Sequence, residues 1–207
     1  MATTKAPLFG LDASGTLANA IVFSKWRGRT YVRRHTTPAN PKSGLQVGMR
    51  SVFKFLTQAY AALTAAQKLT WTDAGAADNI TSLNAMVREG QGRMRRHVGC
   101  RRATDEALET TIDPPTSPAA AAAPTALVLS WTRPVANQGD WYWALYRGLT
   151  TGFSTGIANL VAMGAVADNS YVDTKLTTGT AYFYKVREGG GGGKLGTLSA
   201  EFTGTPT

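Results

Sequence analysis

Few side chains of this sequence are of the types that carry out catalysis. It holds two histidines, His35 and His97, and a single cysteine, Cys100. Hydrolytic mechanisms need a histidine beside a nucleophile and an orienting acid, and zinc or iron–sulfur sites need several cysteine ligands. The sequence has no Gly-x-Ser-x-Gly nucleophile elbow and no cluster of metal ligands. We therefore expect no enzymatic activity, no metal and no cofactor.

Two further segments invite a chemical interpretation. Residues 189–193 are five glycines followed by Lys194, but a phosphate-binding loop needs glycine where Glu188 stands and Ser or Thr where Leu195 stands. We interpret the glycine run as a flexible hairpin loop between the last two strands. Cys100 lies among arginines, a setting that lowers the pKa of a thiol. Without a base or a second cysteine, it is interpreted as an ordinary unpaired thiol.

The abundant chemical group is the guanidinium, and it is unevenly distributed. Residues 1–102 carry 16 Lys and Arg against 4 Asp and Glu, whereas residues 103–207 carry 6 against 9. Such a split separates a part that meets a polyanion or an acidic protein from a part that meets solvent. A solvated basic face, protein docking and nucleic-acid binding all remain open. Nucleic acid is the least favoured, because no nucleic-acid-binding motif accompanies the arginines.

The elements before residue 112 should present these arginines. Two β-rich segments, residues 17–24 and 29–36, flank a turn at Gly28 and predict a β-hairpin. Arginines alternate along the second strand, so it is expected at an edge or on a surface. Capping boxes at Ser43 and Thr64 predict two helices, and a third begins near Ser82 and is weakened past Glu89 by glycines. The candidate docking residues on the ribbon and the third helix are Arg29, Arg33, Arg34, Arg93, Arg95 and Arg96.

The pattern changes in the second half of the chain. Residues 113–124 (DPPTSPAAAAAP) lack an amphipathic pattern, and we interpret them as a semi-stiff linker, with an extended first strand as the alternative. Short strands separated by Gly, Asn, Asp and Thr turns follow over residues 125–207 and predict an antiparallel sandwich. The predicted fold class is α+β, with a basic hairpin and about three helices in residues 1–112 linked to an all-β domain.

Residues 125–207 resemble a fibronectin type III domain. The resemblance rests on residues 129–134 (LSWTRP), 143–147 (WALYR), 170–173 (SYVD) and 176–186 (LTTGTAYFYKV). It implies that Trp131 is a core tryptophan and that Tyr182 is the tyrosine-corner residue. Such modules are scaffolds, so the fold alone gives no function. Trp141 is a candidate for stacking on a sugar, although cross-strand packing is the commoner role of an aromatic on a strand.

The first half is similar to a family of small proteins in the structural gene modules of tailed bacteriophages. The similarity is carried by residues 15–17 (GTL), 23–34 (FSKWRGRTYVRR), 38–46 (PANPKSGLQ), 63–71 (LTAAQKLTW) and 84–88 (NAMVR). It implies a non-enzymatic virion structural protein, synthesised in the host bacterial cytoplasm and placed in the virion. A capsid decoration protein, anchored by its basic part and displaying an Ig-like domain, is the leading interpretation.

Several partners and alternatives follow from that interpretation. The expected partners are the major capsid protein or tail proteins and further copies of the chain, with a weak glycan contact by residues 125–207 and no membrane. A tail or baseplate component is the alternative within the class. A DNA-binding packaging or regulatory factor is the alternative from another class.

Overall fold

A computed structural model describes residues 15–18, 20–37, 39–109, 111–134 and 139–207. Within these ranges the chain is α+β. The helices are α1 (Gly44–Ala62), α2 (Ala65–Ala76) and α3 (Ser82–Arg95). The strands are β1 (Gly15–Leu17), β2 (Ile21–Trp26), β3 (Arg29–Arg34), β4 (Thr116–Ala123), β5 (Ala126–Thr132), β6 (Asp140–Gly148), β7 (Leu160–Ala165), β8 (Ser170–Thr174), β9 (Tyr182–Gly190) and β10 (Phe202–Gly204).

The chain divides into two compact units, residues 1–41 and residues 42–207. The first contains an antiparallel sheet in the order β1-β2-β3, here called the N-terminal sheet. Strands β2 and β3 are joined by Arg27 and Gly28, which both have positive φ, 48° and 79°. Two such residues in succession give the type of two-residue turn that matches strand twist. The turn is therefore shorter than the sequence suggested, and β2 extends to Trp26.

The second unit, here called the main unit, begins with the three helices. Thr64 and Gln67 form the predicted capping box at the start of α2. At α1 the prediction is wrong, because the Ser43 side chain makes no cap hydrogen bond. Helix α3 continues to Arg95 through two glycines. One of them, Gly90, lies so close to Leu56 of α1 that a Cβ would come within 2.5 Å of its methyl carbon. The glycine thus lets two helices approach closely.

The rest of the main unit is a two-sheet sandwich. One sheet has the order β4-β5-β8 and the other β10-β9-β6-β7, with all neighbours antiparallel. This is the strand arrangement of the fibronectin type III fold. Its interior is filled by alternating residues of both sheets, among them Leu127, Leu129, Leu145 and Val186, each with no exposed surface. The second half of the chain is thus a fibronectin type III-like domain.

Residues 113–124 are not a linker. Strand β4 occupies most of them and pairs with β5 from Thr116 to Ala123. The structure shows the alternative that the sequence left open, an extended first strand of the sandwich. Pro118 fits because β4 is at a sheet edge and the pairing is irregular between Thr116 and Ala119, where no amide donor is needed. The run of alanines gives this strand no hydrophobic alternation to recognise.

The predicted domain boundary near residue 112 also needs correction, because the helices and the sandwich share one core. Val52, Phe55 and Leu56 of α1 belong to the same buried cluster as Tyr142 and Tyr146 of β6. Helix α1 lies along β7, and the Ser51 hydroxyl donates a hydrogen bond of 2.6 Å to the Val161 carbonyl. The helical residues and the sandwich are therefore one folding unit, and the division of the chain falls at Pro41 and Lys42.

Close backbone approach fixes α1 against the loop before β7. A Cβ on Gly48 would overlap the carbonyl oxygen of Ile157, and one on Gly44 would overlap that of Ala158. Only glycine fits at such contacts. The first turns of α1 are thus held by packing, which explains how the helix begins without a side-chain cap at Ser43.

Candidate functional site

Arginines of the N-terminal sheet lie on its outermost strand. Strand β3 is an edge of the sheet, and Arg29, Arg33 and Arg34 are all exposed on it. Successive side chains of a strand point to opposite faces, so Arg29 and Arg33 share one face and Arg34 lies on the other. None of the ion pairs recorded for the described residues involves these three arginines. The strand presents positive charge on both faces, as the alternation predicts.

The N-terminal sheet has no buried core of its own among its described residues. Every residue of β1, β2 and β3 is exposed or only partly buried. Trp26 is 65% exposed, Val32 48% and Tyr31 42%. Exposed apolar side chains beside arginines are suited to a protein partner.

The three arginines at the end of α3 have two different roles. Arg95 and Arg96 are exposed near the helix C-terminus, where cations also interact favourably with the helix dipole. Arg93 instead points inward: its Nε donates to the Gly99 carbonyl at 2.5 Å and its Nη2 to the Gly193 carbonyl at 3.0 Å. Burial, followed by the charge of Arg101, lowers the pKa of Arg93. Its inclusion among the docking residues is therefore wrong.

Periodicity could have separated these arginines. Met86 and Gly90 are buried on α3. Arg93 comes seven residues after Met86 and three residues after Gly90, and this spacing places it on the same side of the helix. Arg95 and Arg96 fall outside that spacing.

Acidic side chains offset much of the remaining basic cluster. Arg88 pairs with Asp78 at 2.5 Å, and Arg101 lies 3.4 Å from Glu89. Arg102 forms a two-pronged ion pair with Glu106. The charge density available to a polyanion is therefore lower than the sequence suggests.

Residues 189–193, here called the glycine segment, are buried and not a flexible loop as predicted. The amide of Arg102 donates to the Gly191 carbonyl at 2.7 Å, and the amide of Gly192 donates to Glu109 Oε1 at 2.8 Å. A Cβ on Gly192 would overlap the Ala107 carbonyl oxygen. The glycines thus form a flat backbone surface on which residues 102–109 pack, and they are not arranged to hold a phosphate.

The two residues assigned to the sandwich core lie there. Trp131 is 3% exposed and makes an edge contact with Trp143, with ring centroids 5.1 Å apart. The Tyr182 hydroxyl accepts a hydrogen bond of 3.0 Å from the Thr177 amide. This is the geometry of a tyrosine corner, which ties the start of a strand to the turn before it.

The residues first considered for chemistry are not assembled into a centre. Among the described residues no three His, Cys, Asp or Glu side chains lie where they could hold a metal ion together. Cys100 is fully buried, and burial raises the pKa of its thiol to about 12, so the lowered value that neighbouring arginines would give is not found. Within the same ranges, no helix has the length and apolarity needed to cross a bilayer.

Comparison with known proteins gives structural likenesses only. No family model matches the chain, and no curated protein matches it. The sixth fibronectin type III domain of human fibronectin type III domain containing protein 3 is 21% identical, with coverage of 48% of this chain and 91% of that one and a TM-score of 0.39. A fibronectin type III domain of the same human protein is 26% identical, covering 49% and 94%, with a TM-score of 0.38.

A β-1,2-glucanase from Parabacteroides distasonis is 17% identical, with a TM-score of 0.42. That match covers 49% of this chain and 14% of the glucanase. This chain therefore spans only a small part of the enzyme's length.

Proposed function

We propose that this chain is a non-enzymatic structural protein of a tailed-bacteriophage virion and, within that class, a capsid decoration protein. The N-terminal sheet docks on an acidic surface of another virion protein, with the major capsid protein as the first candidate. The fibronectin type III-like domain is the module displayed on the particle. The resemblance of residues 15–88 to phage structural proteins supports this role.

One observation carries the proposal: a sheet without a buried residue of its own presents three exposed arginines on its edge strand. A small sheet gains stability when its apolar face is covered, and Trp26 and Val32 offer exposed apolar surface to a partner. Arginine pairs with carboxylates through two parallel hydrogen bonds, and Arg29, Arg33 and Arg34 offer these on both faces. On a capsid lattice, many repeated copies turn weak single contacts into firm attachment.

The charge pairing in the main unit argues against duplex DNA as the partner. Affinity for DNA comes largely from phosphates neutralised by free cations. Arg88, Arg101 and Arg102 already have carboxylate partners within the protein. Near the C-terminus of α3, Arg95 and Arg96 are exposed and have no carboxylate partner among the described residues. The basic run on α3 alone therefore does not supply the several phosphate contacts that DNA-binding proteins make.

Immunogold electron microscopy of intact virions tests the location. The antibody is raised against the full chain, because the sandwich shares its core with the helices. Gold spread over the head is the expected result. Gold confined to the tail would replace the proposal with a tail or baseplate component. Particles without gold, together with binding of random duplex DNA tighter than about 10⁻⁶ M at physiological salt, would replace it with a DNA-binding factor.

A charge-reversal pair tests the anchor. Virions lacking the protein are incubated with purified full chain, sedimented and assayed for bound copies. Arg33→Glu should weaken binding at least about tenfold, because losing one charged hydrogen-bonded contact costs about 1.5–3 kcal/mol. Lys175→Glu makes the same charge change in the exposed turn after β8 and should bind like the wild type. Equal binding by both variants would refute the assignment of the anchor to β3.

A further inference from the structure

The main unit contains an open cleft of about 940 Å³ between α1 and the sandwich. Its lining includes Lys54 and Gln58 of α1, Trp141 and Trp143 of β6, and residues 167–171. Its volume lies within the range of pockets that enclose small-molecule ligands. The cleft needs residues from both the helices and the sandwich, so it exists only in the intact main unit.

Aromatic rings held in place by their neighbours line this cleft. Trp141 packs edge-on against Phe55 with ring centroids 5.1 Å apart, and Tyr171 packs edge-on against Trp143 at 5.9 Å. Both Trp141 and Tyr171 remain partly exposed. Fixed rings with accessible surface bind flat, partly apolar groups at a low cost in side-chain entropy. The C–H face of a sugar ring is such a group.

Polar side chains without partners surround these rings. Among the described residues, the side chains of Gln58, Asp168 and Asn169 line the cleft and make no recorded hydrogen bond or ion pair. Trp143 is only 4% exposed, and its buried indole Nε1 has no hydrogen-bond acceptor in the described part of the chain. A buried donor left unpaired is costly. The accessible side chains of Gln58, Asp168 and Asn169 offer amide donors, amide acceptors and a carboxylate, which match the hydroxyls of a sugar.

Charge and strand geometry separate a sugar from other ligands. Lys54 and Asp168 contribute opposite charges at the cleft, and the charge of Arg102 is paired with Glu106. This balance gives no preference for a polyanion. An extended peptide that binds by strand addition needs an open strand edge. On the edge strand β7, the Val161 carbonyl already accepts a hydrogen bond from Ser51 of α1.

We propose that this cleft is a binding site for a neutral oligosaccharide, in which Trp141 and Tyr171 contact the C–H faces of the sugar rings and Gln58, Asp168 and Asn169 bind their hydroxyls. The proposed site includes Trp141, for which the sequence already suggested sugar stacking, together with side chains of α1. The proposal does not depend on a virion location.

The first test uses the purified full chain on a glycan array. The array carries neutral gluco-, galacto- and manno-oligosaccharides together with neutral repeats of bacterial O-antigens. The oligosaccharide with the strongest signal is then titrated by calorimetry and by NMR of the tryptophan indoles, which are assigned by Trp→Phe variants. Binding with a shift of the Trp143 indole resonance is the expected result. No binding on the array and no indole shift at millimolar oligosaccharide would overturn the proposal.

Matched variants locate the site. Asn169→Ala and Gln58→Ala should each raise the dissociation constant about 3–10-fold, because each removes one hydrogen-bonding side chain. Asn84→Ala and Gln46→Ala change the same residue types at exposed helix positions outside the cleft and should stay within about twofold of the wild type. Equal affinities for all four variants would overturn the proposal, even if a glycan binds elsewhere.

Trp141→Ala should abolish binding, with the melting temperature recorded because Trp141 also packs on Phe55. Binding of the glycan by this variant at wild-type affinity would overturn the stacking role. The result is separate from the virion test: glycan binding by a chain that is absent from virions would refute the virion role and leave the cleft assignment standing.

Discussion

Replacing Gly192 by alanine should destabilise the main unit, although alanine normally stabilises a chain relative to glycine. Gly192 has no positive φ, so its backbone conformation suits alanine. The added Cβ, however, would lie 2.6 Å from the Ala107 carbonyl carbon and 2.9 Å from the Leu108 Cα. These are backbone atoms and cannot rotate away. Residues 107–108 would therefore have to move off the glycine segment.

The size of the effect follows from two opposing contributions. Inserting a methyl group into a close-packed contact costs about 1–3 kcal/mol. Alanine restricts the unfolded chain and so offsets about 0.4–1 kcal/mol of that cost. Because the added Cβ would meet backbone atoms, the cost is taken from the upper half of that range, and a net loss of about 1–2 kcal/mol in the free energy of unfolding is expected. For a chain of this size it corresponds to a melting temperature about 2–8 °C lower.

Thermal unfolding followed by circular dichroism measures the change, and hydrogen exchange of the Arg102 amide, which donates to the Gly191 carbonyl, reports on the local contact. The control is Gly92→Ala, because no atom outside its own helix lies within 4 Å of the added Cβ. This substitution should raise the stability by up to about 1 kcal/mol. A Gly192→Ala protein that melts at or above the wild-type temperature, with the Arg102 amide equally protected, would refute the close packing of the glycine segment.

Three further outcomes are expected. Tyr182→Phe removes the hydroxyl that accepts the Thr177 amide and should lower the free energy of unfolding in urea by about 0.5–1.5 kcal/mol. Cys100, whose thiol pKa burial raises to about 12, should react with a thiol dye only when the protein unfolds, and rapid labelling of the native protein would contradict its burial. Hydrogen bonds to the Glu201 carboxylate, with the largest contribution from the Thr151 hydroxyl, hold the pKa of Glu201 below 4.5. The stabilisation that the ionised carboxylate gives is therefore present above pH 4.5 and is lost as the pH falls through the folded-state pKa. The difference between wild type and Glu201→Gln in urea midpoint should therefore shrink on acidification below about pH 4.5, and a constant difference would contradict the assignment.

Regular patterns in the sequence located most of the elements. Apolar and polar residues alternate over residues 126–132 and identify a strand, and apolar residues recur at helical spacing around Val52 and Leu56 and identify a helix. Both patterns arise because burying one face of an element places its apolar residues at regular intervals in the sequence. The Thr64 capping box is equally explicit, since two side chains satisfy two helix amides. In these segments the local signal and the final packing coincide.

Glycine and alanine were the source of the main errors. A glycine that is required for close backbone approach cannot be distinguished in the sequence from a glycine in a flexible loop. The role of Gly192 is set by its contact with Ala107, which is 85 positions earlier in the chain. Alanines of β4 are small on both faces and give no alternation. Only their pairing with β5 identifies the strand.

The cleft is a second case that local patterns cannot supply. Gln58 is an ordinary exposed polar residue on a helix, and Asn169 is one in the segment just before β8; nothing in their neighbours along the chain marks them. Their proximity follows from the packing of α1 along β7. A pattern that predicts the helices and the sandwich as separate domains cannot combine these residues in one site.

The packing of α1 on the loop before β7 also limits how this protein can exchange parts with others by recombination. A crossover near residue 113 would pair the sandwich with foreign helices, and any side chain larger than glycine at position 44 or 48 would collide with the backbone of residues 157–158. A crossover near residue 41 keeps α1 with its sandwich. We expect natural hybrids of this protein to be joined there, with residues 42–207 inherited as a block and the N-terminal sheet exchanged.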